Sequence, residues 1–344
     1  VDLVSRLLQR DIAYRAADGS IFFRIGAWSA YGKLARLDPD SMRVGERVEA
    51  DEYTKDDVRD FVLWKAAKEG EPAWDTPIGR GRPGWHLECS AMSMRYLGES
   101  FDVHTGGIDL IFPHHEDEIA QSEAATGEPF VGTWLHCAHL HVSGDKMSKS
   151  IGNIARVSDL LSSGVDPRAL RLALISAHYR TALNYTEASL PAATAALERI
   201  DAFSAALSAR SARAGNEEEQ ITAANAAAAA AWDRFAAAMD DDLSVPEALA
   251  ALFDLVREGN RLLVDGCGAD GARVLAATLR QMDAVLALLP SATELPNGAA
   301  RLLEERIAAR AAKDFSTSDR LREELEAIGV LVEDGRDGQR WRLK

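Results

Sequence analysis

Apolar positions along the chain fall into three regimes. In the opening stretch Val4, Leu7 and Leu8 keep a helical rhythm, and Ala17-Asp18-Gly19 then turns into the apolar run Ile21-Phe22-Phe23. This pattern predicts a small helix-plus-hairpin unit. Gly70–Gly84, with Pro72, Pro77 and Pro83, is expected to be loop. From Trp85 to about Asn153 helical and strand patterns alternate. Trp85–Leu97 reads as a helix, Phe101–His104 as a short buried strand, and Leu135–Val142 as a second strand. Between the strands Pro113 occupies a first helical position, and Glu116–Ser122 continues that helix. Such alternation predicts part of a parallel α/β sheet, whose sites gather at the carboxyl ends of strands. His104 and Gly144–Ser150 are expected there.

Beyond about Val157 the pattern is helical. Ala223–Ala231 is nearly pure alanine, Leu252, Leu255, Leu262 and Leu263 keep a helical spacing, and so do Leu279, Met282 and Leu286. A helical bundle is predicted. Pro290–Gly298 reads as a linker. The last segment predicts a helix capped by Ser316, with Asp319 three residues on, and ended by Gly329. Two strands follow, Val330–Glu333 and Arg340–Leu343, joined through Asp334-Gly335 as a hairpin.

Charge narrows the possible partners. The 344 residues carry a formal net charge of −15, which disfavours indiscriminate nucleic-acid binding but allows a selective RNA partner at a local basic patch. Arg336, Arg340, Arg342 and Lys344 form such a patch around Trp341. The acidic run Asp240-Asp241-Asp242 reads as a solvated loop or helix cap. Three cysteines, Cys89, Cys137 and Cys267, are too few and too scattered for a disulfide framework, which fits a reducing, cytoplasmic setting. No apolar run reaches membrane-spanning length, so no membrane partner is expected.

The most specific chemistry lies in Gly144-Asp-Lys-Met-Ser-Lys-Ser-Ile-Gly-Asn153. Lysines, serines and flanking glycines on a strand-to-helix loop suit a triphosphate, with Lys146 and Lys149 neutralising charge on departing pyrophosphate. A second candidate is Cys89 with His114 and Glu118, the last two spaced to share one helix face. Thiolate, imidazole and carboxylate together suit Zn²⁺. Read alone, a His-x-x-x-Glu pair is more often a surface pair and a lone Cys more often core filling.

Gly81–Met92, Phe101–Glu118 and His178-Tyr-Arg-Thr-Ala-Leu-Asn-Tyr-Thr-Glu187, together with Lys-Met-Ser-Lys-Ser at 146–150, resemble the cysteinyl-tRNA synthetases, a class I aminoacyl-tRNA synthetase family. The resemblance runs through to Lys344. It implies an α/β plus mostly α fold: a partial Rossmann-type catalytic domain, a helical bundle and a small α+β anticodon-binding domain. The implied divisions are a connective insertion region over 1–80, the second half of the catalytic domain over 81–156, a stem-contact region and helical bundle over 157–290, and an anticodon-binding domain over 296–344.

The resemblance also implies roles. Cys89, His114 and Glu118 match zinc ligands, and Trp85, His104 and Asp109 match the substrate cysteine pocket. Lys146, Met147, Ser148, Lys149 and Ser150 match the ATP-binding loop. Arg310, Asp319, Asp334 and Trp341 match anticodon-binding residues. His115 and Glu116 are expected behind the ligands or on the helix surface. The implied activity is cysteine activation with Mg²⁺-ATP and transfer to tRNA(Cys), by a cytoplasmic monomer. The family's fourth zinc ligand, a cysteine, and its His-x-Gly-His motif have no counterpart in these residues, and Cys137 and Cys267 lie in the wrong segments to substitute. Residues 1–344 alone are therefore expected to be inactive. A non-catalytic tRNA- or zinc-binding remnant and a cysteine–amino-sugar ligase with the same core are the alternatives. The terminal hairpin argues against the second.

Overall fold

The computed structural model describes residues 1–36, 55, 57, 59–142, 144–146, 156–212, 218–290, 296, 298–335 and 338–343. They divide into two compact units. The first comprises Val1–Ser163, Ala173–Leu190 and Ala238–Glu247, and the second Gly164–Leu172, Pro191–Ala237 and Ala248–Lys344.

In the first unit α1 (Asp2–Gln9) buries Leu3, Val4 and Leu7. The hairpin follows as β1 (Ala13–Arg15) and β2 (Ile21–Phe23), which continues through β3 (Phe61–Ala66) to β4 (Gly81–Pro83) in one antiparallel sheet. Leu7, Ile21, Phe23 and Leu63, each with no exposed surface, form its core with Leu87 and Ala120 from the helices beyond. The Gly/Pro-rich segment is thus not all loop. Gly81 sits where the Lys65 carbonyl and Trp64 ring leave no room for a side chain, so this strand uses a residue that loop statistics favour.

Gly84 then caps α2 (Trp85–Leu97). A methyl group on Gly84 would stand 2.2 Å from the Val62 carbonyl oxygen. Gly84→Ala is therefore expected to destabilise the first unit by about 2–3 kcal/mol, through displaced backbone rather than a lost contact. Denaturant midpoints would measure it, and a midpoint equal to the parent's would show that the α2 start can shift freely.

Next come β5 (Phe101–Gly107), α3 (Glu116–Thr126) and β6 (Val131–Cys137), with β5 and β6 parallel in a right-order strand–helix–strand unit. β5 outruns its expected length and is half-exposed rather than buried, and His104 lies in its middle, opposite Trp134, not at its carboxyl end. Pro113 does not open α3. It belongs to an irregular turn, Ile111–His115, in which Phe112 has extended backbone angles. The expected strand Leu135–Val142 is two strands, because the chain changes partners at Ala138, whose N–H donates to the Tyr179 carbonyl. β7 (Leu140–Val142) pairs antiparallel with β8 (Asp145–Lys146).

α4 (Val157–Ser162) and α5 (Pro167–Ile175) lead to β9 (Leu183–Tyr185), which runs parallel to β7. The helical part then follows as α6 (Ser189–Ser211), α7 (Glu218–Asp240), α8 (Val245–Val264) and α9 (Ala269–Leu286). Leu252, Leu255, Leu262, Leu279, Met282 and Leu286 are buried as their spacing predicted. Of the expected linker, Pro290, Pro296 and Gly298 are described, and residues 291–295 and 297 lie outside the described residues.

The chain ends with α10 (Ala299–Ala311), α11 (Phe315–Ala327), β10 (Val330–Gly335) and β11 (Gly338–Leu343). Ser316 is not the cap of α11. The Asp314 carboxylate accepts from Thr317 N and Thr317 Oγ1 instead, so the helix starts two residues earlier, on amides a cap at Ser316 would not reach. Asp334 and Gly335 are ladder residues facing Gln339 and Gly338, rather than the turn of the hairpin.

Candidate functional site

The candidate site is built on α2 and α3, and its position follows from how these helices are fastened. Ser90 is fully buried on α2. It accepts from Gln121 Nε2 at 2.6 Å and from Ser122 Oγ at 3.0 Å, while Gln121 Nε2 also donates to the His86 carbonyl. This polar seam sets Cys89 beside the first turn of α3. The Cys89 thiol and the ligand atoms of His114 and Glu118 lie within 4.8 Å of one another.

Glu118 has no exposed surface. Its Oε2 is 2.9 Å from His104 Nε2 and its Oε1 is 2.7 Å from His114 Nε2. Yet Oε1 has no hydrogen bond of acceptable geometry. A buried carboxylate oxygen and an imidazole nitrogen aimed at each other without a hydrogen bond, with a thiol alongside, fit a shared cation. Soft sulfur, imidazole nitrogen and carboxylate oxygen are the donor set Zn²⁺ accepts.

Burial alone would push the Glu118 carboxyl up, but the His104 and His114 imidazoles outweigh it and hold it down to about 2. Burial, with Glu118 and Glu88 nearby, pushes the Cys89 thiol up to about 11. In the metal-free protein Cys89 is thus protonated, and a cation must displace that proton to gain a thiolate ligand.

Behind His114 lies a relay that the sequence did not mark. His114 Nδ1 is 2.7 Å from His86 Nδ1, and His86 Nε2 is 3.3 Å from the buried Asp117 carboxylate. When His114 donates to His86 and His86 to Asp117, the His114 Nε2 lone pair is left free to ligate a cation. Asp117 also accepts from Tyr31 Oη at 2.5 Å, and burial pushes its carboxyl well up.

His115 and Glu116 are buried, not on a helix surface. Glu116 accepts from the backbone N–H groups of Gly32, Leu34 and Ala35, tying residues 32–35 to α3. His115 pairs with His136 at 2.8 Å, and burial, ahead of the neighbouring charges, lowers it to about 4, so it stays neutral. Its ring also explains Gly106, where a methyl group would stand 2.5 Å from His115 Cε1.

The expected pocket residues surround this centre unevenly. Trp85, though exposed, lies 4.2 Å from the His114 ring between centroids, and His104 stacks on Trp134 at 4.7 Å. Asp109 is exposed on the turn after β5, its carboxylate folded over Gly107. Lys146 stands opposite His141 in β8. Met147, Ser148, Lys149 and Ser150 lie outside the described residues.

In the terminal module the Asp334 carboxylate is held by Arg306 at 3.0 Å and by Arg310 at 2.8 Å. Arg306 lies one helical turn before Arg310 and is fully buried; no sequence signal marked it. These arginines, Arg306 first, keep the Asp334 carboxyl below the ordinary carboxylate range. Trp341 is the register partner of Val332 in the β10–β11 ladder, and Asp319 lies on α11.

Comparison with known proteins agrees with these features. The family described as tRNA synthetases class I (C) catalytic domain matches residues 1–195, the DALR domain 234–290, and the cysteinyl-tRNA ligase anticodon binding domain 292–342. A cysteine–tRNA ligase of Pseudomonas syringae pv. tomato is 46% identical over 353 residues, covering 99% of this chain and 73% of the relative. The chain belongs to the cysteinyl-tRNA synthetase family. A cysteine–tRNA ligase of Pseudomonas aeruginosa is 45% identical to this synthetase over 352 residues, again covering 99% of the chain and 73% of the relative. At the level of fold alone, the synthetase is similar to an arginyl-tRNA synthetase structure from Campylobacter jejuni, with a TM-score of 0.50 and 11% identity over 84% of this chain and 60% of that one. Among the described residues no helix is long and apolar enough to cross a membrane.

Proposed function

We propose that this chain supplies the cysteine-selecting and tRNA-reading parts of a cysteine–tRNA ligase, which activates L-cysteine with Mg²⁺-ATP and transfers it to tRNA(Cys). The observation that carries the choice of amino acid is the buried Cys89–His114–Glu118 cluster, with the unpartnered Glu118 Oε1 at its centre. These residues would hold Zn²⁺. When bound, zinc supplies a soft Lewis acid that prefers a thiolate to an alcohol, a distinction an apolar pocket makes poorly.

The other residues do the positioning. Trp85 and His104 wall the pocket, and Asp109 orients the substrate ammonium group. His86 and Asp117 keep His114 in one tautomer. Lys146 and Lys149 stabilise negative charge on the triphosphate as pyrophosphate departs, with Met147, Ser148 and Ser150 completing that loop. Arg310, Asp319, Asp334 and Trp341 read and stack splayed anticodon bases. The same terminal module favours tRNA over an amino sugar as the acceptor.

The test is zinc affinity of the natural full-length enzyme, measured by chelator competition across pH 6.5–8.5 beside cysteine-dependent ATP–pyrophosphate exchange. With Cys89 protonated in the metal-free site, affinity is expected to rise about tenfold per pH unit from that thiol alone. Cys89→Ser should flatten the slope and lower zinc content and exchange together. Zinc bound as tightly to Cys89→Ser as to the parent would remove Cys89 from the ligand set.

A further inference from the structure

Asp242 ends the acidic run that composition assigns to a solvated loop or helix cap. It is exposed, yet two neighbouring side chains hold its carboxylate. Tyr179 Oη donates to its Oδ1 at 2.5 Å, while Arg180 donates from Nε to Oδ2 at 2.6 Å and from Nη2 to Oδ1 at 3.1 Å. His178 Nε2 lies 3.0 Å from the Asp242 carbonyl oxygen. Three consecutive side chains thus converge on one residue. Asp242 and the following Leu243 both adopt left-handed backbone angles, φ 54° and 55°, which side chains with a Cβ rarely accept. An exposed ion pair contributes little by itself, so net stability does not account for a strained backbone kept in this form.

The gripped tripeptide leads elsewhere. The Tyr179 carbonyl accepts from Ala138 N at 2.7 Å, and Leu183 N donates to the His139 carbonyl at 3.2 Å. These two bonds bracket the point where the chain leaves β6 for β7. β9 then runs parallel to β7, and Asn184 Oδ1 accepts from Gly144 N at 2.9 Å, between β7 and β8. An unbroken hydrogen-bonded path therefore joins Asp242 to the hairpin whose second strand ends at Lys146. Arg180 also bears on the other direction, since its charge, after burial and His104, lowers the His136 imidazole below its ordinary value.

We propose that Asp242 is a positioning residue for Lys146: by gripping His178-Tyr179-Arg180 it sets the β7–β9 pair and, through Asn184 and Gly144, the hairpin that presents Lys146. The inference rests on the reading of Lys146 as a lysine that acts on ATP. It also gives the run a role in adenylation, although Asp242 falls within the residues matched by the DALR domain rather than by the catalytic one.

The test uses the natural full-length, zinc-loaded enzyme in cysteine-dependent ATP–pyrophosphate exchange, with rates expressed per active site from burst titration. Asp242→Ala and Arg180→Met are each expected to lower kcat about tenfold, as a small displacement of a charge-stabilising group does, with KM for cysteine unchanged. The double variant should be no worse than the poorer single one, because both break the same clamp. Asp242→Asn keeps an acceptor for Tyr179 and should recover part of the loss. A merely structural role would lower the thermal midpoint and the number of active sites without separating kcat from KM. The proposal is overturned if Asp242→Ala and Asp242→Asn both stay within about twofold of the parent while Lys146→Ala is strongly impaired. If Lys146→Ala itself leaves exchange intact, the ATP reading of Lys146 fails and this inference falls with it.

Discussion

Glu118→Gln is expected to lower cysteine-dependent ATP–pyrophosphate exchange by at least about a thousandfold, some 4 kcal/mol, together with loss of tightly held zinc. The isosteric amide keeps the volume of a side chain that has no exposed surface, so packing around α3 should survive. What it removes is the charge on which His104 at 2.9 Å and His114 at 2.7 Å converge. An amide also offers one acceptor where the carboxylate offers two, so it cannot serve His104 and a cation alike.

The same substitution has a pH signature in the metal-free protein. The folded Glu118 carboxyl sits at about 2, below its value of roughly 4.3 in an unfolded chain. Its ionised form therefore contributes stability that is fully present above that unfolded value and is lost as pH falls toward the folded one. The stability gap between parent and Glu118→Gln should be constant near neutrality and close between about pH 4.3 and 2. Zinc content and exchange near the parent's would show that Glu118 is only a partner of His104.

Arg306→Met is expected to reduce kcat/KM for tRNA charging by about 10- to 100-fold while leaving ATP–pyrophosphate exchange within about twofold. Methionine fills most of the volume of a side chain that is 1% exposed. It cannot replace the fork that holds both oxygens of Asp334 at 3.0 Å and reaches Gln339 Oε1 at 2.6 Å. Without the fork, Asp334 keeps one bond to the exposed Arg310 and loses the fixed direction that its proposed reading of an anticodon base needs. Arg306→Lys should restore charge but not the two-point grip, and so recover little. A parallel fall in exchange would instead mean that the substitution disrupts the fold beyond the terminal module.

Much of the fold was legible because helices report themselves locally. The burial of Leu3, Val4 and Leu7 in α1, and of Leu279, Met282 and Leu286 in α9, follows directly from spacing. Strand limits were less legible. The break between β6 and β7 comes from a bond between Ala138 and Tyr179, residues about forty positions apart, and no local pattern encodes it. Asp314 rather than Ser316 caps α11, a choice between two acceptable capping residues that the backbone path made.

Sequence alone determined the chemistry on offer: a thiol, an imidazole and a carboxylate in family-like context, two lysines in a signature loop, and an arginine- and tryptophan-bearing terminal hairpin. Side-chain type sets what a residue can bind, and type is written in the chain. Only the tertiary structure decided which residues serve them. His86 and Asp117 stand behind His114, Ser90 and Gln121 fix α2 against α3, Arg306 aims Asp334, and Asp242 grips a tripeptide more than sixty positions earlier. Each depends on two atoms meeting within hydrogen-bond distance, and that meeting is a property of the packed elements rather than of either residue.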